Sequence, residues 1–331
     1  MNDFTALSEN TAPLRVYMLG SGPIAVPVLR ALAAAPGAVT LLGVGTQPDR
    51  PAGRKQRLEP TPLGAAAAEL GIAARRWSNV NQEGLAELLR AEKADFMVVA
   101  SFGQILKEPV LTAPRFGCVN IHASLLPRYR GASPIVHAIL NGDRVTGVGF
   151  MAMDRGLDTG KVYRTLEMPL DGSERADTLE TALGELAAGE LIAVLRAAAA
   201  GELVAVPQDE AQATLTRKVG KSDGVIDFRL SAARIEAAVR AYAPWPGASL
   251  VLPLAKGAQR ITVTRARVVP ECGGAPGEIV QADRHGWRIA CGQGALELLE
   301  IVPAGKKPMT AAGFLNGCRE TLTGMRLATE L

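Results

Sequence analysis

Between Arg15 and Val44 the chain reads strand, glycine turn, helix, strand, and few folds accept that order. Arg15 to Leu19 is a short apolar run that ends in Gly20-Ser21-Gly22-Pro23. The alanine-rich segment Ile24 to Ala35 has helical character, and Val39 to Val44 is a second aliphatic, β-branched run. A strand that turns through glycines into a helix and returns as a strand opens a doubly wound α/β sheet. Gly20, Gly22 and Ala25 fit the G-x-G-x-x-A fingerprint of dinucleotide sites. No Asp or Glu ends the second strand to hold a ribose, however; Gly45-Thr46 stand there. The glycines are therefore read as a tight turn that admits a ligand or helix at close range, and a nicotinamide oxidoreductase is disfavoured.

The alternation continues. Leu63 to Leu70 and Gln82 to Ala91 look helical, Asp95 to Ala100 is a buried-type strand, and Ser133 to Leu140 is helical. Gly147 to Met153 and Val162 to Met168 are strands, and Ala176 to Ala200 is a long alanine-rich helix. Periodicity fades between Gly201 and Lys221, which suits a linker. Beyond Ser222, after a helical segment over Ala232 to Ala241, come runs at Ser249–Leu254, Arg260–Val269, Gly277–Ala282, Gly286–Ala290 and Gly294–Ile301, with turn signals between them. Short strands at such spacing suggest a small OB-like β-barrel. The expected organisation is a tail over 1–14, a Rossmann-like doubly wound, mostly parallel domain over 15–200, a linker over 201–221 and a barrel over 222–331.

Composition narrows the function classes. At 48% hydrophobic and 21% charged residues, the chain is globular rather than disordered. No apolar run is long enough to span a bilayer, and the first fourteen residues lack the pattern of a secretory signal. The four cysteines, Cys118, Cys272, Cys291 and Cys318, are widely spaced. That argues against a disulfide framework or a zinc site and for a reducing, cytoplasmic compartment. Residues 216–331 carry 16 Lys and Arg against 10 Asp and Glu (+6), whereas residues 1–215 carry 20 against 23 (−3). A basic C-terminal third suggests contact with a polyanion.

Chemistry concentrates in Cys118-Val-Asn-Ile-His-Ala-Ser-Leu-Leu-Pro-Arg-Tyr-Arg-Gly131. Alternate residues of a strand share a face, so Asn120 and His122 point the same way and offer an amide beside an imidazole. Such a pair can work on a carbonyl; the plain alternative is a hydrogen-bonded residue at a strand end. In the turn-rich loop Asp154 to Gly160, Asp158 is mounted to face a cleft, or else to close its own turn. Phe102 and Ile105, at the carboxyl end of their strand, could wall an apolar pocket for a flat ring or simply pack on the next helix. The loop Thr46 to Pro62 holds four prolines, a glycine, the cations Arg50, Arg54, Lys55 and Arg57, and two acids. A projecting loop of this kind suits a phosphate backbone or is a solvated loop. Lys306 and Lys307 sit on a late turn. Arg128 and Arg130 have three open readings: a phosphate, a carboxylate, or a brace for the turn.

Four stretches together resemble the methionyl-tRNA formyltransferase family: TQPDRPAGR (Thr46–Arg54), NIHASLLPRYRGASPI (Asn120–Ile135), MDRGLDTG (Met153–Gly160), and PWPGA with PAGKK in the last third. The second and third mark folate-dependent formyl transfer in general; the first and last point to the tRNA-acting member. The resemblance implies Asn120, His122 and Asp158 as catalytic residues, Ser124, Leu125, Leu126 and Pro127 with Phe102 and Ile105 as a folate site, and Arg54, Lys55, Lys306 and Lys307 as tRNA contacts. It implies 10-formyltetrahydrofolate as formyl donor without a metal, charged initiator tRNA as partner, no membrane, and a monomer. The chain departs from the family pattern in the longer Gly20-Ser21-Gly22-Pro23 turn, in Ser133, and in Lys55-Gln56-Arg57. A formyltransferase acting on a nucleotide-linked amino sugar is the nearest rival; a non-catalytic RNA-binding protein is a further one.

Overall fold

The central strand of the first sheet is set by an unbroken apolar run. Val16 to Leu19 are all buried, as a parallel strand covered on both faces requires. A computed structural model describes residues 12–52 and 57–328. In chain order its elements are β1 (Leu14–Gly20), α1 (Ala25–Ala33), β2 (Val39–Thr46), β3 (Arg50–Ala52), β4 (Arg57–Glu59), α2 (Pro62–Glu69), β5 (Ala74–Arg76), α3 (Leu85–Ala91), β6 (Phe96–Ala100), α4 (Glu108–Leu111), β7 (Cys118–His122), β8 (Arg130–Gly131), α5 (Pro134–Asn141), β9 (Val145–Ala152), β10 (Val162–Pro169) and α6 (Ala176–Ala199). There follow β11 (Leu215–Thr216), α7 (Ala232–Ala241), β12 (Ala248–Leu252), β13 (Gln259–Val269), β14 (Ile279–Asp283), β15 (Gly286–Ala290), β16 (Ala295–Pro303), β17 (Met309–Thr310) and α8 (Ala311–Gly317).

The chain divides into two units. One comprises residues 1–130, 146–168 and 180–215; the other comprises 131–145, 169–179 and 216–331. The first holds a seven-stranded sheet of order β10-β9-β7-β6-β1-β2-β5. β1 pairs in parallel with β2 on one side and β6 on the other, and β6 pairs in parallel with β7. The strand order therefore reverses between β1 and β6, the switch point outside which ligands of open α/β sheets bind. β9 joins antiparallel to β7, with Asn120 opposite Met151 and His122 opposite Gly149.

The fingerprint glycines serve close packing. A Cβ on Gly20 would lie 2.6 Å from the Ala100 carbonyl, and one on Gly22 would lie 2.5 Å from Ser101 Oγ and 2.9 Å from Glu180 Oε1. The backbone N–H groups of Ser21 and Gly22 donate to the Ser101 carbonyl at 3.1 and 3.3 Å. The donors that would cradle a pyrophosphate are thus already engaged. Burial pushes the Glu180 carboxyl up, while the Ile24 N–H it accepts pulls the other way.

The proline-rich segment Thr46 to Pro62, expected as a loop, departs from that expectation: β3 and β4 pair antiparallel, Arg50 opposite Glu59 and Ala52 opposite Arg57. Pro51 is tolerated because a two-stranded ribbon leaves one edge of each strand unpaired. The base is tied down. Thr46 and Thr61 hydroxyls lie 2.5 Å apart, Gln47 Nε2 donates to the Phe102 carbonyl at 3.0 Å, and Arg76 grips Asp49 with two bonds of 3.1 Å. Thr61 also caps α2 by accepting the Gly64 N–H, and Pro62 begins the helix where its missing N–H costs nothing.

In the second unit β12-β13-β16-β15-β14 pair in that order, with β17 on β16. The pairings are antiparallel, and register shifts within β13 bend the ladder. Trp287, Phe228, Leu252, Ile261, Ile289 and Leu296 fill its core, and α7 lends Ile235 and Val239. Phe314 of α8 stacks on Trp287 with centroids 5.3 Å apart. Gly313 and Gly317 make α8 a poor helix by propensity, so this packing and the Thr310 cap sustain it. Glu297 is buried on β16; burial pushes its carboxyl up, but hydrogen bonds from Arg267 and Arg288 hold it below the usual range.

Candidate active site

Asn120 and His122 do share a face at the carboxyl end of β7, between β6 and β9. His122 is only 5% exposed. Its Nε2 lies 2.9 Å from the Tyr129 carbonyl oxygen. A carbonyl only accepts, so Nε2 carries the proton and Nδ1 is the ring nitrogen left without one in the neutral imidazole. Nδ1 lies 3.7 Å from Asp158 Oδ2, whose side chain is 14% exposed. That is ion-pair range without a direct hydrogen bond. Asn120 is half-buried, and among the described residues its amide has no hydrogen-bond partner.

Asp154 closes the turn, accepting from Gly156 N at 3.0 Å and from Thr159 Oγ1 at 2.9 Å. Asp158 itself adopts φ 54°, the left-handed region that Asp tolerates better than most residues. Two bonds hold that backbone: Gln208 Nε2 donates to the carbonyls of Asp158 and Gly160 at 2.9 and 2.7 Å.

After His122 the chain folds into a tight turn. Ser124 N donates to the His122 carbonyl at 2.9 Å, Ser124 Oγ to the Arg128 carbonyl at 2.6 Å, and Arg128 N to the Leu125 carbonyl at 3.1 Å. The Leu126–Pro127 peptide is cis. Glycines of β9 make room beneath this turn. A Cβ on Gly147 would stand 2.5 Å from Leu125 Cδ2, and one on Gly149 3.6 Å from Leu126 Cδ1.

The formyl transferase family model covers residues 14–195, and the formyl transferase C-terminal domain model covers residues 218–319. The chain belongs to the formyl transferase family. Solved structures agree in fold. HypX from Aquifex aeolicus, in complex with tetrahydrofolic acid, matches at TM-score 0.60 and 15% identity over 92% of this chain and 47% of that one. This chain therefore spans about half the length of HypX. An N-formyltransferase from Helicobacter canadensis, in complex with folinic acid and dTDP-3-aminofucose, matches at TM-score 0.60 and 18% identity over 86% of this chain and 98% of that one. Methionyl-tRNA formyltransferase from Clostridium thermocellum matches at TM-score 0.52 and 15% identity over 77% and 93%.

The remaining candidate residues of this formyl transferase fall in different settings. Phe102 is buried in the core with Met97, Leu106 and Val110, whereas Ile105 is 79% exposed. Lys306 and Lys307 are exposed on the turn after β16, where Gly305 takes φ 83°. Arg54 and Lys55 lie outside the described residues. Arg130 is a brace: its guanidinium grips Glu210 through two bonds of 2.9 and 2.7 Å and donates to Gln208 Oε1 at 3.0 Å. Arg128 packs its guanidinium 5.0 Å from the Tyr129 ring centroid. Sequence reasoning missed the Tyr129 carbonyl, Gln208, Glu210 and Thr214. Their one signal was a polar stretch, Gln208-Asp209-Glu210, in a segment taken for a linker. Among the described residues no group of His, Cys, Asp and Glu is arranged to hold a metal ion, and no helix is long and apolar enough to cross a membrane.

Proposed function

We propose that this formyl transferase carries the formyl group of 10-formyltetrahydrofolate to the α-amine of methionyl-tRNA. The observation that carries the reading is the buried His122–Asp158 pair beside the Asn120 amide at the end of β7. The neutral amine attacks the formyl carbon. The C–N10 bond breaks, the amine gives up a proton, and N10 of the folate gains one. The Asn120 amide donates to the oxyanion that forms on the way. His122 acts through Nδ1, because its Nε2–H is committed to the Tyr129 carbonyl. Protonated, Nδ1 is a second donor to the oxyanion, and the Asp158 carboxylate stabilises that imidazolium. On this reading the turn Ser124 to Pro127, seated over Gly147 and Gly149, holds the folate together with Phe102 and Ile105. Two named relatives were solved with folates, tetrahydrofolic acid and folinic acid, which supports the donor.

For the acceptor, the support is the charge of residues 216–331, +6, and the cations spaced along the anchored hairpin and the turn after β16. On this reading Arg54, Lys55, Lys306 and Lys307 meet tRNA phosphate, and the enzyme works as a cytoplasmic monomer with residues 15–200 as catalytic domain, 201–221 as linker and 222–331 as tRNA-binding domain. A nucleotide-linked amino sugar is the second reading, favoured by the higher TM-score of the Helicobacter enzyme. The deciding experiment offers 10-formyltetrahydrofolate with charged initiator tRNA, uncharged tRNA, or dTDP-3-aminofucose. Formylation of the charged tRNA alone is expected. Transfer to the sugar alone overturns the tRNA assignment, and transfer to neither acceptor, with no folate binding, overturns the whole reading.

A further inference from the structure

We infer that Gln208, oriented by Arg130, positions Asp158 against His122, so that the segment 206–214 belongs to the catalytic machinery and not to a passive connection. The inference rests on the formyl-transfer reading for its kinetic consequence and on geometry alone for the positioning itself.

The segment is fastened along its length. Val206 exchanges both backbone bonds with Val162, each 2.9 Å. Thr214 clamps the turn after His122: Tyr129 N donates to its Oγ1 at 2.8 Å, Arg130 N to its carbonyl at 2.9 Å, and its own N donates to the Pro127 carbonyl at 3.3 Å. Gln208 lies between these fastenings. Its amide nitrogen donates to two carbonyls, Asp158 and Gly160, and its amide oxygen accepts Arg130 Nε. Only one amide orientation satisfies these partners, since the flipped one would set an oxygen against two carbonyls and a donor against a guanidinium. Asp158 is held at φ 54°, a conformation that persists where its surroundings over-determine it.

Arg130 joins the two halves of the site. The carbonyl of the preceding residue, Tyr129, accepts His122 Nε2–H and sets the tautomer, while the Arg130 side chain sets Gln208 and through it Asp158. The guanidinium is 5% exposed, yet Glu210, 71% exposed, holds it bidentately. The Glu210 hydrogen bond raises the Arg130 pKa, against the effect of burial, and the charges of Asp158 and Asp154 add to it.

The test uses the full chain with Gln208→Met, which keeps volume and loses the bonds, alone and combined with Asp158→Asn. Gln208→Met is expected to lower kcat by about 10- to 100-fold, with the KM for the formyl donor and tetrahydrofolate affinity held within about two-fold, since uniform binding is untouched. In the Asp158→Asn background it should cost nothing further, because the group it positions is already altered. Arg130→Lys keeps the charge without the fork and should show a smaller loss of the same kind. Equal losses in both backgrounds would reduce Gln208 to a general structural role and overturn the inference. A measurement independent of turnover is the nitrogen chemical shift of His122 Nδ1 at fixed pH, readable because the chain has three histidines. It should move in Gln208→Met in the direction seen for Asp158→Asn. A shift that moves only in Asp158→Asn refutes the positioning even if no acceptor is ever formylated, and wild-type protein that neither binds folate nor transfers formyl refutes the functional reading instead. Should Gln208→Met fail to fold, Gln208→Asn, one methylene short of its carbonyls, serves in both measurements.

Discussion

The two regions that would carry function are built on opposite physical plans. Around His122 nearly every polar atom has a partner: the ring nitrogen, the turn after it, the Asp158 backbone and the arginine behind it are pinned by bonds of 2.6–3.1 Å. Among the described residues the cations Arg50, Arg57, Lys306 and Lys307 are exposed, and the strands that carry the first two are tethered at their base through Thr46–Thr61 and Asp49–Arg76. Chemistry on one carbonyl demands a single geometry, which burial and hydrogen bonding supply. Charge on an extended acceptor needs only proximity and summed potential, which exposed side chains supply. Membership in the formyl transferase family follows from the models that match residues 14–195 and 218–319; on the proposed reading, the choice of acceptor belongs to the exposed cations.

The largest expected effects test the first region. His122→Ala and Asp158→Ala should each cut the rate of formyl transfer by about 1000-fold or more, with tetrahydrofolate affinity unchanged by calorimetry. A near wild-type rate in either would remove that residue from the mechanism. Asn120→Ala should cost about 100- to 1000-fold, as for one oxyanion donor; a loss confined to KM would make Asn120 a binding residue. Gly147→Ala tests the seat beneath the turn. Its methyl would stand 2.0 Å from the Leu166 carbonyl and 2.5 Å from Leu125 Cδ2, so denaturant titration should show about 1–3 kcal/mol of destabilisation.

Glu180 gives a smaller, pH-coded effect. Burial raises its folded pKa above the unfolded value, so the folded state binds the proton more tightly and stability falls as pH rises through that interval. Glu180→Gln, which still offers an oxygen to the Ile24 N–H, should be more stable than wild type at neutral pH. The gap should close on acidification below the unfolded carboxylate range; a gap that widens there would contradict the sign. Least of all, Lys306→Ala and Lys307→Ala should leave stability within about 0.5 kcal/mol. If tRNA is the acceptor, each should reduce the salt slope of RNA binding by about one, and filter binding with no change in slope would exclude these lysines from the interface.

Local pattern carried much of this molecule. The alternation in Val119-Asn-Ile-His122 was enough to place Asn120 and His122 on one face, because side-chain period in a strand is two whatever the surroundings. The runs of β1, β6 and β9 and the helix Ala232–Ala241 were legible for the same reason. Short elements were not. Ala74–Arg76 is a strand because β2 offers it an edge, and α8 is a helix because Phe314 lands on Trp287. The sequence taken alone thus determined the sheet architecture, the family and the shared face of the amide and imidazole, all of which rest on periodicity or contiguous motifs. Only the tertiary structure decided that Asp158 stands 3.7 Å from Nδ1 of His122, that Asp154 closes the loop, and that Gln208 and Thr214 bond to the Asp158 backbone and to the turn after His122. Those are relations between residues far apart in the chain, and hydrogen bonds between polar groups leave no periodic trace by which a sequence could announce them.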